Sequence, residues 1–187
     1  MADVASNLFW DSCVFSAFLY DEKDTYDLAP IEQYLAEAKA GKHKIYTSSV
    51  VFAEVATSKI KHKKLGTMGD LIRDFTGSVI VIDPSVNVMQ LSGRLRDIRY
   101  KKGQSDKRVL STGDAVMLAT ALHLEDAYNV KVDVFHTYDN AKKKFVPILS
   151  FQDWCEGLMG DQAKCAKRVC DLRRSKPIHS SPRLPGT

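Results

Sequence analysis

No apolar run in the sequence approaches the ~20 residues a membrane-spanning helix needs, so no membrane partner is expected. Cysteine is scarce: Cys13, Cys155, Cys165 and Cys170 form no CxxC, and no Cys/His grouping has zinc spacing. All four are expected as reduced thiols, with Cys13 a small buried hydrophobe in an apolar run. Neither a P-loop nor a GxGxxG stretch occurs, which excludes the usual nucleotide-phosphate cradles. The N-terminus has no positive leader, and Asp3 and Asp11 interrupt its apolar stretch, so a cytoplasmic location is the expectation. Internal repeats are absent. Proline is sparse in the body of the chain, and three of the six (Pro177, Pro182, Pro185) fall in the last eleven residues, an end expected to be disordered.

What remains is an ordinary globular composition, 187 residues with 44% hydrophobic and 27% charged, enough to bury a core without disulfides or a structural metal. The net charge of +4 is unevenly placed. Residues 160–187 hold seven basic side chains against two acidic ones and so carry +5, leaving −1 for the rest. The division expected is a domain over 1–153 and a basic C-terminal extension over 154–187, with residues 158–174 a basic helix.

Leu8-Phe9-Trp10 reads as a short strand, followed by a helix from Val14 to Tyr20. Pro30 opens a helix that stops at Gly41. Lys44 to Thr47 reads as a strand, with Ser48 or Ser49 capping a helix over 50–56. Ser78 to Ile82 suits a buried strand. Residues 86–100 look helical, and Thr112 caps a helix from Asp114 to Leu122. Val132 to Thr137 is a further strand, and Val146-Pro147-Ile148-Leu149 a last one at a sheet edge. Such alternation means an α/β fold with a mostly parallel central sheet covered on both faces.

In such a sheet, ligands bind outside the carboxyl ends of the strands. Asp11 and Asp139 end strands there, Glu54 lies on the helix after the second strand, and Asp114 sits in the first turn of a helix. Asp11 and Glu54 stand among apolar neighbours with no Lys or Arg beside them in sequence, and an ionised carboxylate in that setting needs a partner or a cation. Four converging carboxylates suit a hard divalent ion, Mg²⁺ or Mn²⁺.

Leu8-Phe9-Trp10-Asp11-Ser12, Ser48-Ser49-Val50-Val51-Phe52-Ala53-Glu54, Ser111-Thr112-Gly113-Asp114-Ala115 and His136-Thr137-Tyr138-Asp139 occur in an order that resembles the PIN-domain ribonucleases, over about residues 7–151. The resemblance implies a Rossmann-like three-layer α/β/α fold and a Mg²⁺- or Mn²⁺-dependent endoribonuclease leaving 5′-phosphate and 3′-hydroxyl ends. It implies that Asp11, Glu54, Asp114 and Asp139 are catalytic and metal-binding, with Ser12, Thr112 and Thr137 orienting them. Many small members resemble VapC-like toxins, so an antitoxin protein and a homodimer are implied as partners; a processing nuclease that is not a toxin is the other enzymatic reading. His136, on a strand, reads as structural.

An acidic pocket repels RNA, so basic flanks are needed. Lys59, Lys61, His62, Lys63 and Lys64 follow the Glu54 helix; Arg99, Lys101, Lys102, Lys107 and Arg108 precede Asp114; Lys142, Lys143 and Lys144 follow Asp139. A haloacid-dehalogenase-like phosphatase would need a second Asp two residues after the first, where this chain has Cys13. The remaining rival is a PIN fold that binds RNA or protein without cutting.

Overall fold

A computed structural model describes residues 5–61, 75, 77–140 and 144–178. Five strands, β1 (Ser6–Trp10), β2 (His43–Ser48), β3 (Val79–Ile82), β4 (Val134–His136) and β5 (Arg174–Ser175), form one sheet in the order β3-β2-β1-β4-β5. Every pairing is parallel, with Leu8 opposite Ile45 on one side and Val134 on the other. Among the described residues, six helices accompany them: α1 (Ser12–Leu19), α2 (Ala29–Lys39), α3 (Val51–Glu54), α4 (Val86–Asp97), α5 (Thr112–Tyr128) and α6 (Gly160–Asp171). This is the three-layer, Rossmann-like α/β arrangement expected from the alternation of patterns.

The chain runs outward from β1 to β2 to β3, then returns to place β4 on the other side of β1. The strand order therefore reverses between β1 and β4, and a crevice opens there at the carboxyl ends of the strands. Phe9 and Trp10 at the centre are fully buried, and Phe9 stacks on Phe135 of β4 with ring centroids 5.1 Å apart. Helix α5 is apolar on nearly all sides and is buried from Asp114 to Leu122. It ends at Asn129, whose left-handed backbone turns the next N–H, that of Val130, back to the Leu124 carbonyl at 3.1 Å.

Several expectations are corrected. The apolar run of β3 forms the sheet edge, leaving Ile80 43% and Val81 39% exposed; a short apolar run has the same appearance at an edge and at a centre. Neither Ser48 nor Ser49 caps α3. Its cap residue is Val50, and the helix stops after four residues because the Tyr20 hydroxyl takes the Ala56 N–H at 2.6 Å and draws the chain away. Ser111, not Thr112, caps α5, accepting from Asp114 N at 3.1 Å. Val146 to Leu149 is not a strand: Val146 N bonds to the Val109 carbonyl, Ile148 N to the Asp139 side chain and Leu149 N to the Asp139 carbonyl. The edge beyond β4 goes instead to β5, so the segment read as an extension supplies α6 and a strand of the same sheet. Pairing partners so distant leave no trace in local pattern. The end expected to be disordered lies, from residue 179, outside the described residues.

Candidate functional site

Trp10 ends β1, and the Asp11 N–H continues the ladder by bonding to the His136 carbonyl of β4 at 3.0 Å. Asp11 is thereby held at the reversal point. Its backbone is extended, and its side chain caps α1 by accepting from Ser12 N at 2.8 Å through Oδ1. The other oxygen, Oδ2, accepts from the Thr137 hydroxyl at 2.7 Å and from the Cys13 thiol at 3.1 Å. Asp11 is 2% exposed, so these bonds replace water around a carboxylate removed from solvent.

Thr137 also accepts the Asp139 N–H at 3.0 Å, tying the two acids of β1 and β4 to one hydroxyl. Asp139 Oδ2 accepts from Ile148 N at 3.0 Å, which fixes the turn after β4. Asp114 enters from the first turn of α5 and is 4% exposed.

Glu54 arrives differently. The apolar neighbours Val51 and Val55 turn inward, while Glu54 is exposed. The expectation of an apolar setting therefore holds for buried Asp11 and fails for Glu54, which is exposed although Val51 and Val55 beside it are buried. Its carboxylate lies directly against Gly113: a Cβ there would collide with Glu54 Oε1 and stand 3.0 Å from Oε2. Glycine at that position is what lets Glu54 approach the residue next to Asp114.

Asp11, Glu54, Asp114 and Asp139 all line one cleft of about 450 Å³, together with Ser12, Cys13, Tyr26, Tyr138 and Asn140. Ser12 lines the same cleft, and Thr137 meets it through its bond to Asp11. Thr112 is exposed and does not line the cleft among the described residues. Among those residues, no three His, Cys, Asp or Glu side chains stand close enough together to hold a metal ion as placed.

Of the basic candidates, Lys59 and Lys61 are exposed, and Lys63 and Lys64 lie outside the described residues. Lys102 pairs with Asp153 at 2.7 Å, and Arg108 packs over the Trp154 ring at 4.4 Å and donates to the Phe145 carbonyl. Lys107 is exposed and Lys101 half-buried, and none of Lys101, Lys102, Lys107 and Arg108 lines the acidic cleft among the described residues.

Cys13, expected as a small buried hydrophobe, is half-buried and bonds to Asp11 in the cleft, and Tyr26 and Tyr138 line it without having been singled out in the sequence. Burial, and after it the Asp11 charge, push the Cys13 thiol well above its ordinary range, so it stays protonated and donates. The signal was its place two residues after Asp11. Tyr26 stacks on Tyr138 at 4.1 Å, and the Tyr138 hydroxyl donates to the Asp27 carbonyl at 3.3 Å. Burial raises Tyr138 to about 12, so both rings are neutral at ordinary pH. His136 packs between Trp10 and Tyr34, lowered to about 4 by burial, then by His43 and Arg173. That suits a neutral structural residue.

Fold and cleft together define a class: a three-layer α/β protein with a carboxylate-lined crevice at the reversal point of a parallel sheet. No family model matches the chain, and no curated protein matches it. No helix among the described residues is long and apolar enough to cross a membrane.

Proposed function

We propose that this chain is a metal-dependent endoribonuclease of the PIN-domain kind, hydrolysing RNA phosphodiester bonds at the acidic cleft. One observation carries the reading: Asp11, Glu54, Asp114 and Asp139 come from four separate segments of the chain and line a single crevice. Gathering like charges opposes folding, so their common position is better accounted for by a ligand of opposite charge.

The donor chemistry fits a hard divalent cation. The acids offer only oxygen, and the one nearby sulfur, Cys13, is held as a thiol. Asp11, Asp114, Asp139 and Glu54 would hold Mg²⁺ or Mn²⁺. When bound, that ion would supply acidity to a water and offset charge on the phosphodiester. The chain's own residues do the positioning. Ser12 N, Cys13 and Thr137 fix both oxygens of Asp11. Ser111 orders the first turn of α5 under Asp114. Gly113 leaves room for Glu54 to swing over that turn.

A module that binds RNA without cutting is the second reading. It is favoured by the looseness of the cleft, in which no three of the described acidic side chains stand close enough to share an ion.

The test is cleavage of single-stranded RNA by the full chain with Mg²⁺, Mn²⁺ or EDTA, alongside Asp114→Asn. The expected result is cutting that needs the ion and is lost in the variant. Undiminished cutting in EDTA overturns the mechanism; RNA binding with no cutting under any ion favours the second reading.

A further inference from the structure

Cys155 follows the 3-10 turn Phe151–Trp154, and Cys170 lies in the last turn of α6. Their Sγ atoms stand 3.4 Å apart. Both residues are half-buried, and both line a surface cleft of about 510 Å³ bordered by Glu156, Lys167 and Ala163. A small reagent therefore has a route to sulfurs that already touch. A disulfide needs the two atoms to close to about 2.05 Å, a shift on the scale of side-chain rotation.

The Arg174 guanidinium acts on both sulfurs and is anchored by donating to the Val169 carbonyl. At Cys155 that charge opposes burial without outweighing it. Burial, and next the hydrogen bond with Cys170, push Cys155 far above its ordinary range, so it stays a thiol at ordinary pH. Cys165, on the same helix, lines a different groove with Arg94 and Arg168.

We propose that Cys155 and Cys170 form an oxidisable dithiol, a modification site that takes small disulfides and closes to an internal disulfide. With glutathione disulfide as the oxidant, the Cys170 thiolate attacks one sulfur of the reagent. A mixed disulfide forms on Cys170, and one glutathione thiolate leaves. Cys155 then loses its proton and attacks Cys170 Sγ, expelling the second glutathione. The dithiol gives up two electrons and two protons, and the reagent is reduced to two thiols. The bond ties the last turn of α6, just before β5, to the turn that packs Trp154 beneath Arg108. None of this depends on the nuclease reading.

The experiment equilibrates the full chain in graded mixtures of reduced and oxidised glutathione, traps free thiols by alkylation, and reads intact mass and peptide linkages. The expected wild-type product loses two of its four thiols and joins the Cys155 and Cys170 peptides. Cys165→Ser behaves the same. Cys155→Ser stops with one glutathione on Cys170, and Cys170→Ser forms no internal link. Four thiols surviving in pure glutathione disulfide overturn the proposal, as does a disulfide joining any other pair. The wild-type measurement needs no substitution, so a variant that fails to fold leaves the decision intact.

Discussion

The Thr137 hydroxyl donates to Asp11 Oδ2 across 2.7 Å while accepting the Asp139 N–H at 3.0 Å. One oxygen thus holds the ends of two neighbouring strands, and an acid from each, in fixed relation. Thr137→Val keeps the shape but removes both bonds, leaving a buried carboxylate oxygen and a buried N–H short of a partner. The expected cost is roughly 1–3 kcal/mol in urea unfolding. Thr137→Ser, which keeps the hydroxyl, recovers most of it.

Gly113 separates stability from function. In Gly113→Ala the new Cβ meets only the far end of the Glu54 side chain, which can swing aside. Alanine also suits a helix better by up to about 1 kcal/mol. The melting temperature is expected to hold or rise, while metal-dependent cleavage falls at least about tenfold. Adding Gly113→Ala to Glu54→Ala should cost nothing further in cleavage; an equal loss in both backgrounds would show that the glycine does not act through Glu54.

Asp139 combines two roles that different substitutions divide. Asp139→Ala strips Ile148 N of its acceptor and should lower stability by about 1–3 kcal/mol. Asp139→Asn retains an acceptor oxygen and should unfold nearly like wild type. Its reduced charge should nevertheless weaken Mn²⁺ binding, read by calorimetry on the folded protein.

His136 sets an acid-side limit on stability. Its folded value is about 4 against 6.5 for the unconstrained side chain, because burial disfavours the charged ring. Between these values the unfolded chain binds the extra proton, so stability is complete above about pH 6.5 and falls as pH drops toward 4. The loss from pH 7 to pH 5 should be about 2 kcal/mol in urea unfolding. His136→Phe should flatten that part of the profile; an unchanged slope would assign the effect to other groups.

The basic residues should divide in the same manner. Arg108 covers Trp154, so Arg108→Ala should reduce stability by about 1–2 kcal/mol and leave the salt dependence of RNA binding almost unchanged. Lys59→Ala with Lys61→Ala should do the reverse, lowering the slope of log affinity against log salt by up to about 1.4. Fluorescence anisotropy across a salt series distinguishes the two patterns.

Most of the architecture was legible in local pattern, and the misreadings share one cause. Leu8-Phe9-Trp10, Lys44 to Thr47 and Val132 to Thr137 read as strands, and they supply the three inner strands of the sheet. The run from Ser78 to Ile82 suits a buried strand and is an edge, since hydrophobicity records what a segment tolerates and not who its neighbours are. Arg174-Ser175 had no strand signature at all and pairs only because α6 delivers it beside β4. Helix α3 is shorter than its apolar pattern because the bond at its end comes from Tyr20, thirty-six residues from Ala56.

The sequence by itself determined the α/β alternation and which carboxylates stand at the ends of strands and helices. Periodicity and capping act over a few residues and are written locally. Only the tertiary structure decided that Asp11, Glu54, Asp114 and Asp139 share one cleft, that Cys13 and Thr137 hold Asp11, and that Cys155 meets Cys170. Those relations depend on strand order and helix packing, which arise from the burial of the whole core.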